Sequence, residues 1–138
     1  MEKRELRIER DKELKKRFDY VIQESGVNPR YLMRDDIANI LQSMPAPRFY
    51  IDWKMAQNNV NLYYKGKMKH KSELKQKMVL DLVEVFEEVR STHMNYPMTE
   101  VWNMVVEHPA KSFYLSKQRI IEIIYNYHDN GRKKTDRQ

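Results

Sequence analysis

Cysteine is absent from this chain, glycine occurs only three times, and no run of eighteen apolar residues exists. Each absence removes a class of explanation. Without cysteine there is neither a disulfide framework nor a thiolate metal site, which fits a reducing compartment. Three scattered glycines cannot build a Gly-rich phosphate loop. Without a long apolar run no transmembrane helix is expected, and the opening Met1-Glu2-Lys3-Arg4-Glu5 leads into charge rather than an apolar signal core. The expectation is a soluble, cytoplasmic protein with no membrane partner.

Catalytic signatures are also scarce. His70, His93, His108 and His128 show no His-x-x-x-His or other close ligand spacing, so a zinc site would need distant segments. Ser43, Ser112 and Ser116 lack a Gly-x-Ser-x-Gly context, Asp35-Asp36 reads as helix N-terminal charge, and Glu107-His108 reads as a solvated loop pair. The chain is expected not to be an enzyme, and to hold no metal or cofactor.

What is present is charge and a recurrence. A formal net charge of +6 favours polyanionic partners, and 41% hydrophobic residues over 138 suffice for a core. The segment Pro45-Ala46-Pro47-Arg48-Phe49-Tyr50-Ile51-Asp52 is echoed by Pro109-Ala110-Lys111-Ser112-Phe113-Tyr114-Leu115-Ser116, 64 positions later. At the same offset Asn39 meets Asn103, Val60 meets Ile124 and Tyr63 meets Tyr127. Leu14, Phe18, Val21 and Ile22 fall opposite Met78, Leu82, Val85 and Phe86, the same apolar stripe at helical spacing. A shared offset across several apolar positions points to a tandem repeat.

The fold class expected is all-α, with two tandem repeats of about three helices each. The first repeat covers 1–66, a basic link 67–72, the second repeat 73–131, and a disordered basic tail 132–138, the halves packing as one domain. In the first half, helices are expected from about Glu9 to Glu24, ending near Gly26, from Arg34 to Ser43, and from Trp53 to Lys65 with Gly66 as the stop. In the second, they are expected from Ser72 to Arg90, from Met98 to Glu107, and from Ser116, as N-cap, through Ile120, Ile123, Ile124 and Tyr127 toward Gly131. Asp52 is the matching N-cap candidate in the first half. The segments Phe49-Tyr50-Ile51 and Phe113-Tyr114-Leu115 have two readings, a tiny two-stranded ladder joining the halves or a plug in each half's own core. Both readings bury Phe49 and Phe113.

The two Pro-Ala-x-x-Phe-Tyr segments resemble small uncharacterised proteins of gut bacteria and their phages, over about the last two thirds of the chain. Such relatives often continue the first segment with Ser-Glu-Glu-Arg, where this chain has Asp52-Trp53-Lys54-Met55. The resemblance implies a duplication and a phage or mobile-element setting, and supplies no activity.

The repeat's helix order is that of helix-turn-helix modules, although the connection from Met44 to Ile51, stiffened by Pro45 and Pro47, is longer than their usual turn. On the third helix Lys54, Gln57, Asn58, Asn61 and Lys65 recur at i, i+3, i+4, i+7 and i+11 and share one face. Asn and Gln amides can pair with adenine edges while lysines hold phosphate; an ordinary solvated face has the same composition. Lys67, Lys69 and Lys71 follow with no acidic neighbour and extend the candidate nucleic-acid site. In the second copy Gln118, Ile121, Glu122, Tyr125 and Asp129 replace the amides and lysines, so Ile121 and Tyr125 are candidates for packing on the other half, on another subunit or in the core.

Arg4, Arg7, Arg10, Lys12, Lys15, Lys16 and Arg17 on the first helix interleave with Glu2, Glu5, Glu9, Asp11 and Glu13, a pattern expected to form a salt-bridged solvent face. Trp53, Tyr50, Tyr63 and Tyr64 beside the lysines have the composition of a single-strand stacking platform, with at most two expected exposed. The leading expectation is a non-enzymatic binder of DNA, with RNA as a further candidate, acting as a phage or mobile-element regulator or packaging accessory. The rival is a protein–protein module such as an adaptor, an assembly factor or an inhibitor of a host complex.

Overall fold

Helix stops and starts written into the sequence divide the chain. In the computed structural model, which describes residues 2–28, 31–68 and 72–126, the helices are α1 (Lys3–Ser25), α2 (Arg34–Gln42), α3 (Trp53–Tyr64), α4 (Glu73–Thr92), α5 (Met98–Glu107) and α6 (Lys117–Asn126). The expected basic tail 132–138, the end of the last helix beyond Asn126, and Lys69, His70 and Lys71 lie outside the described residues.

α1 begins at Lys3 rather than near Glu9. Leu6 extends the apolar stripe about two turns ahead of Leu14, both are buried, and the Lys, Arg and Glu between them are good helix formers. Gly26 ends α1 at φ 64. At the end of α3, Gly66 takes φ 69; its N–H donates to Tyr63 O at 3.0 Å while Lys67 N–H donates to Leu62 O at 2.9 Å. This is the crossed pair of bonds of a Schellman ending, which needs the left-handed residue that glycine supplies. Ser72 Oγ accepts from Lys75 N–H at 3.2 Å and Ser116 Oγ from Arg119 N–H at 3.1 Å, so α4 and α6 carry serine caps. Asp52 occupies the N-cap of α3, yet its carboxylate makes no capping hydrogen bond.

Packing follows apolar faces across the middle of the chain. α1 packs on α2, and both take α6; α4 packs on α5, and both take α3. Each half therefore lends its third helix to the other, and the packing crosses the link at 67–72. Several buried pairs sit 64 positions apart: Ile37 with Val101, Leu41 with Val105, Ala56 with Ile120, and Val60 with Ile124. Trp102 is fully buried, its ring stacked on Phe86 with centroids 4.6 Å apart. Burying a large apolar side chain contributes about 1.5–3 kcal/mol, so the shared core dominates cohesion between the halves.

The two Pro-Ala-x-x-Phe-Tyr segments meet at the centre, but they do not form a ladder. Among the described residues there is no named strand and one isolated antiparallel bridge, between Ala46 and Ala110. It is closed by Ala46 N–H to Ala110 O at 2.9 Å and Ala110 N–H to Ala46 O at 3.0 Å. Pairing goes no further because the neighbouring polar groups are used elsewhere. Phe49 N–H donates to Val106 O at 2.9 Å, Ser112 Oγ donates to Gln42 O at 3.1 Å, and Gln42 Nε2 donates to Leu115 O at 3.1 Å. Pro47 has no N–H, and Tyr114, at φ 57, is not extended. The segments instead satisfy carbonyls near the ends of α2 and α5, which a helix leaves unpaired. Phe49 and Phe113 are buried, as both readings required.

α2 and α3 are not the packed pair of a helix-turn-helix. Residues 43–52, held across the centre by these bonds, deliver α3 to α4 and α5 instead. Among the described residues no helix is long and apolar enough to cross a membrane.

Candidate nucleic-acid interface

α3 has one buried side and one open side. Ala56, Asn59 and Val60 face inward, while Lys54, Asn58, Asn61 and Lys65 are exposed and Gln57 is half-buried. Lys67, just past the Schellman turn, is also exposed. The structure thus brings Lys54, Asn58, Asn61, Lys65 and, less openly, Gln57 onto one outward stripe. From Trp53 to Lys71 the chain contains no Asp or Glu.

No ion pair engages Lys54, Lys65 or Lys67 among the described residues. Lys54 Nζ lies 5.7 Å from the Trp53 ring centroid. An acid approaches this helix through Tyr64, whose hydroxyl donates to Glu87 Oε1 at 3.0 Å. Burial and that carboxylate together raise the Tyr64 pKa. Of the four aromatics, Tyr64 is exposed and packs edge-on to Tyr63, while Tyr50, Tyr63 and Trp53 are half-buried in the core margin.

The corresponding side of α6 is consumed within the chain. Tyr125 meets Phe18 of α1 edge-on at 5.5 Å, with the Arg34 guanidinium 4.4 Å from its ring centroid, and Ile121 packs against the core. Glu122 pairs with Arg119 at 3.2 Å. Gln118 is exposed, and Asp129 lies outside the described residues.

The salt-bridged face expected on α1 forms only in part. Arg10 pairs with Asp11 at 2.9 Å, Lys15 with Asp19 at 3.2 Å and Arg17 with Glu13 at 3.2 Å. Arg4, Arg7, Lys12 and Lys16 make no ion pair among the described residues, because acid spacing on a helix brings charges near without bringing them into contact.

Two buried polar side chains, Asp81 and Asn59, lie outside the residues that the sequence singles out. Asp81, 5% exposed, accepts Lys111 N–H at 2.9 Å and the Tyr114 hydroxyl at 2.5 Å. Tyr114 holds a left-handed backbone that a bulky residue seldom adopts. Burial first and Asp81 second push its phenol well above the usual tyrosine range. Tyr50 is pushed up to about 12 by burial and then by the Glu13 carboxylate. Asn59 on α3 is 4% exposed, and its Nδ2 has no hydrogen-bond partner among the described residues. A lone acid in a helical stripe says nothing of such partners; the hint for Asp81 is its place among Val79, Leu82 and Val83.

Among the described residues no group of three or more His, Cys, Asp or Glu could hold a metal ion. No protein-family model matches the chain, and neither a curated protein nor a solved structure matches it.

Proposed function

We propose that the chain is a nucleic-acid-binding protein whose contact element is the outward stripe of α3, with duplex DNA as the leading ligand. The observation that carries this reading is the acid-free Lys54–Asn58–Asn61–Lys65 stripe, without ion pairs among the described residues, continuing into Lys67. From Lys54 to Lys65 the helix rises about 16 Å, somewhat more than the roughly 12 Å width of a major groove. Lysines at both ends then reach phosphates on either side while Asn58 and Asn61 face base edges. Amide side chains pair two-pronged with adenine, and lysine neutralises phosphate without reading sequence. Gln57 lies at the margin of the stripe and serves as a flanking contact, and Lys69 and Lys71 add charge along the chain. The resemblance of the Phe-Tyr segments suggests service as a phage or mobile-element regulator or packaging accessory.

We also propose that the chain is an internal duplication. Buried pairs 64 positions apart, the start of α2 at Arg34 against α5 at Met98, and the reciprocal loan of α3 and α6 support it. The two copies then divide labour: α3 kept a free polar stripe, while its counterpart α6 spends Ile121 and Tyr125 on internal packing.

A titration of the isotope-labelled protein with a short duplex, followed by NMR, tests the assignment. Shift changes should concentrate on residues 54–67; binding that leaves those amides untouched contradicts it.

A second reading, a protein-interaction module, is favoured by apolar residues flanking α2 and α5. Tyr31 is 79% exposed and Met94 72% exposed, with Met33, Tyr96 and Met98 also open. Such a module would depend on those side chains and be indifferent to the α3 lysines.

A further inference from the structure

The first turns of α1 carry cations alongside the buried Leu6. Lys3, Arg7, Arg10 and Leu14 stand at i, i+4, i+7 and i+11, one face of the helix. Leu14 is fully buried, whereas toward the N-terminus Arg10 is half-buried and Lys3 and Arg7 are exposed, so this face opens to solvent as it leaves the core. Beyond the end of the core these bases line a cleft of about 240 Å³ with Tyr50, Asp52 and Met55. The far wall is therefore the N-terminal end of α3, next to Lys54.

The bases differ in what they already do. Arg10 is held by Asp11, its Nε at 3.0 Å and Nη2 at 2.9 Å from the same carboxylate oxygen. Lys3 and Arg7 have no ion pair among the described residues and are exposed at the cleft rim. Asp52 is the only carboxylate among the lining residues, and neither a cap bond nor an ion pair engages it among the described residues. Glu9 and Glu13 act on Tyr50 from α1 itself. Lys3 and Arg7, without ion pairs among the described residues, thus share a cleft with Asp52 and Met55 at the start of α3 and add positive charge at that end, while Lys65 and Lys67 add it at the other.

We propose that Lys3 and Arg7 hold backbone phosphates of the nucleic-acid strand that passes the N-terminal end of α3, the cleft rim being their seat. This rests on the reading of α3 as the nucleic-acid interface. The contact is to phosphate, so it adds affinity and orientation without sequence preference. Lys12 and Lys16 stand about half a helical turn away, on the opposite side of α1, and take no part.

The test is fluorescence anisotropy of a labelled duplex with the 138-residue chain at several salt concentrations. For the Lys3→Gln/Arg7→Gln variant the slope of log affinity against log salt should become shallower by about two, one for each phosphate that is no longer neutralised. Its affinity at low salt should fall at least tenfold. Asp52→Asn should tighten binding, and Lys12→Gln/Lys16→Gln should leave the slope unchanged. An unchanged slope in the Lys3/Arg7 variant, with Lys54 and Lys65 variants still impaired, overturns this inference and leaves the α3 reading standing. Equal slope reductions in both α1 variants overturn it too, since they would reflect overall charge alone. A wild-type chain that binds no duplex removes the α3 reading and this inference together. Circular dichroism melts of each variant separate these outcomes from unfolding.

Discussion

The ring of Tyr50 lies parallel to that of Phe113, centroids 5.9 Å apart and planes within 7°, and Phe49 and Tyr114 repeat the relationship at 6.5 Å and 3°. Each pair joins one Phe-Tyr segment to the other, with the Ala46–Ala110 bridge beside them. The segments are thus a clasp between the halves, and neither plugs its own half alone. Offset parallel stacking adds about 0.5–1.5 kcal/mol beyond area burial for each pair.

Truncating the clasp should cost stability from either side. Phe49→Ala and Phe113→Ala are each expected to destabilise the fold by about 3–5 kcal/mol, the usual cost of emptying a buried aromatic site. Urea unfolding followed by circular dichroism measures this. A cost below about 1 kcal/mol for either, far under that range, would show that its ring is not part of the shared core.

The buried Asp81 makes a sharper forecast. Tyr114→Phe keeps the stack on Phe49 but removes the hydroxyl that Asp81 accepts, leaving the carboxylate with the Lys111 N–H. A loss of about 1–3 kcal/mol is expected, because a buried acceptor is left under-satisfied. The double variant Tyr114→Phe/Asp81→Leu should recover part of the loss, and a thermal-melt cycle over the four proteins measures the coupling.

Alkaline pH should weaken the fold. Tyr50 ionises at about 12 in the folded chain against 10.0 for a free phenol, and Tyr114 is shifted the same way. Between those values the unfolded chain has released protons that the folded one retains, so stability is intact below about pH 10 and falls as pH rises toward 12. Phenolate absorbance and ellipticity recorded together should show these two tyrosines ionising only as the helices are lost. Normal early titration of all tyrosines would contradict their burial.

Capping gives a contrast between the N-caps of two successive helices. Ser72→Ala should cost about 1 kcal/mol because its hydroxyl caps α4, whereas Asp52→Ala should cost little on that account. Equal losses in thermal melts would mean that Asp52 caps α3 in solution.

Helix limits are largely legible in the sequence because their signals are local. Gly26, Gly66, Ser72 and Ser116 act within one turn of their own positions, and Pro97 stands at the N-cap position of α5. The alternation of Ala56, Val60 and the polar stripe on α3 is equally plain, since helical spacing alone determines which residues share a side. What is not legible is partnership between distant segments. Nothing local tells α3 to dock on α4 and α5, Phe49 to meet Tyr114, or Tyr114 to bend back to Asp81. These depend on long-range packing and on where the Pro45–Pro47 connection delivers the chain. The bases of α1 elude a local reading for a related reason. Their acid neighbours suggest pairing, but the cleft that Lys3, Arg7 and Arg10 line becomes visible only once Leu6 and Leu14 have fixed the helix's rotation.

The α3 interface is tested most directly by the salt dependence of duplex DNA binding, comparing wild type with Lys54→Ala/Lys65→Ala/Lys67→Ala from about 50 to 200 mM salt. Each neutralised phosphate steepens the log–log slope by about 0.9. Tight binding at low salt, a steep slope for wild type, and a slope shallower by about three for the variant with its helical content unchanged are expected. Absence of binding at about 50 mM salt, or binding that neither salt nor the three substitutions alter, would contradict it.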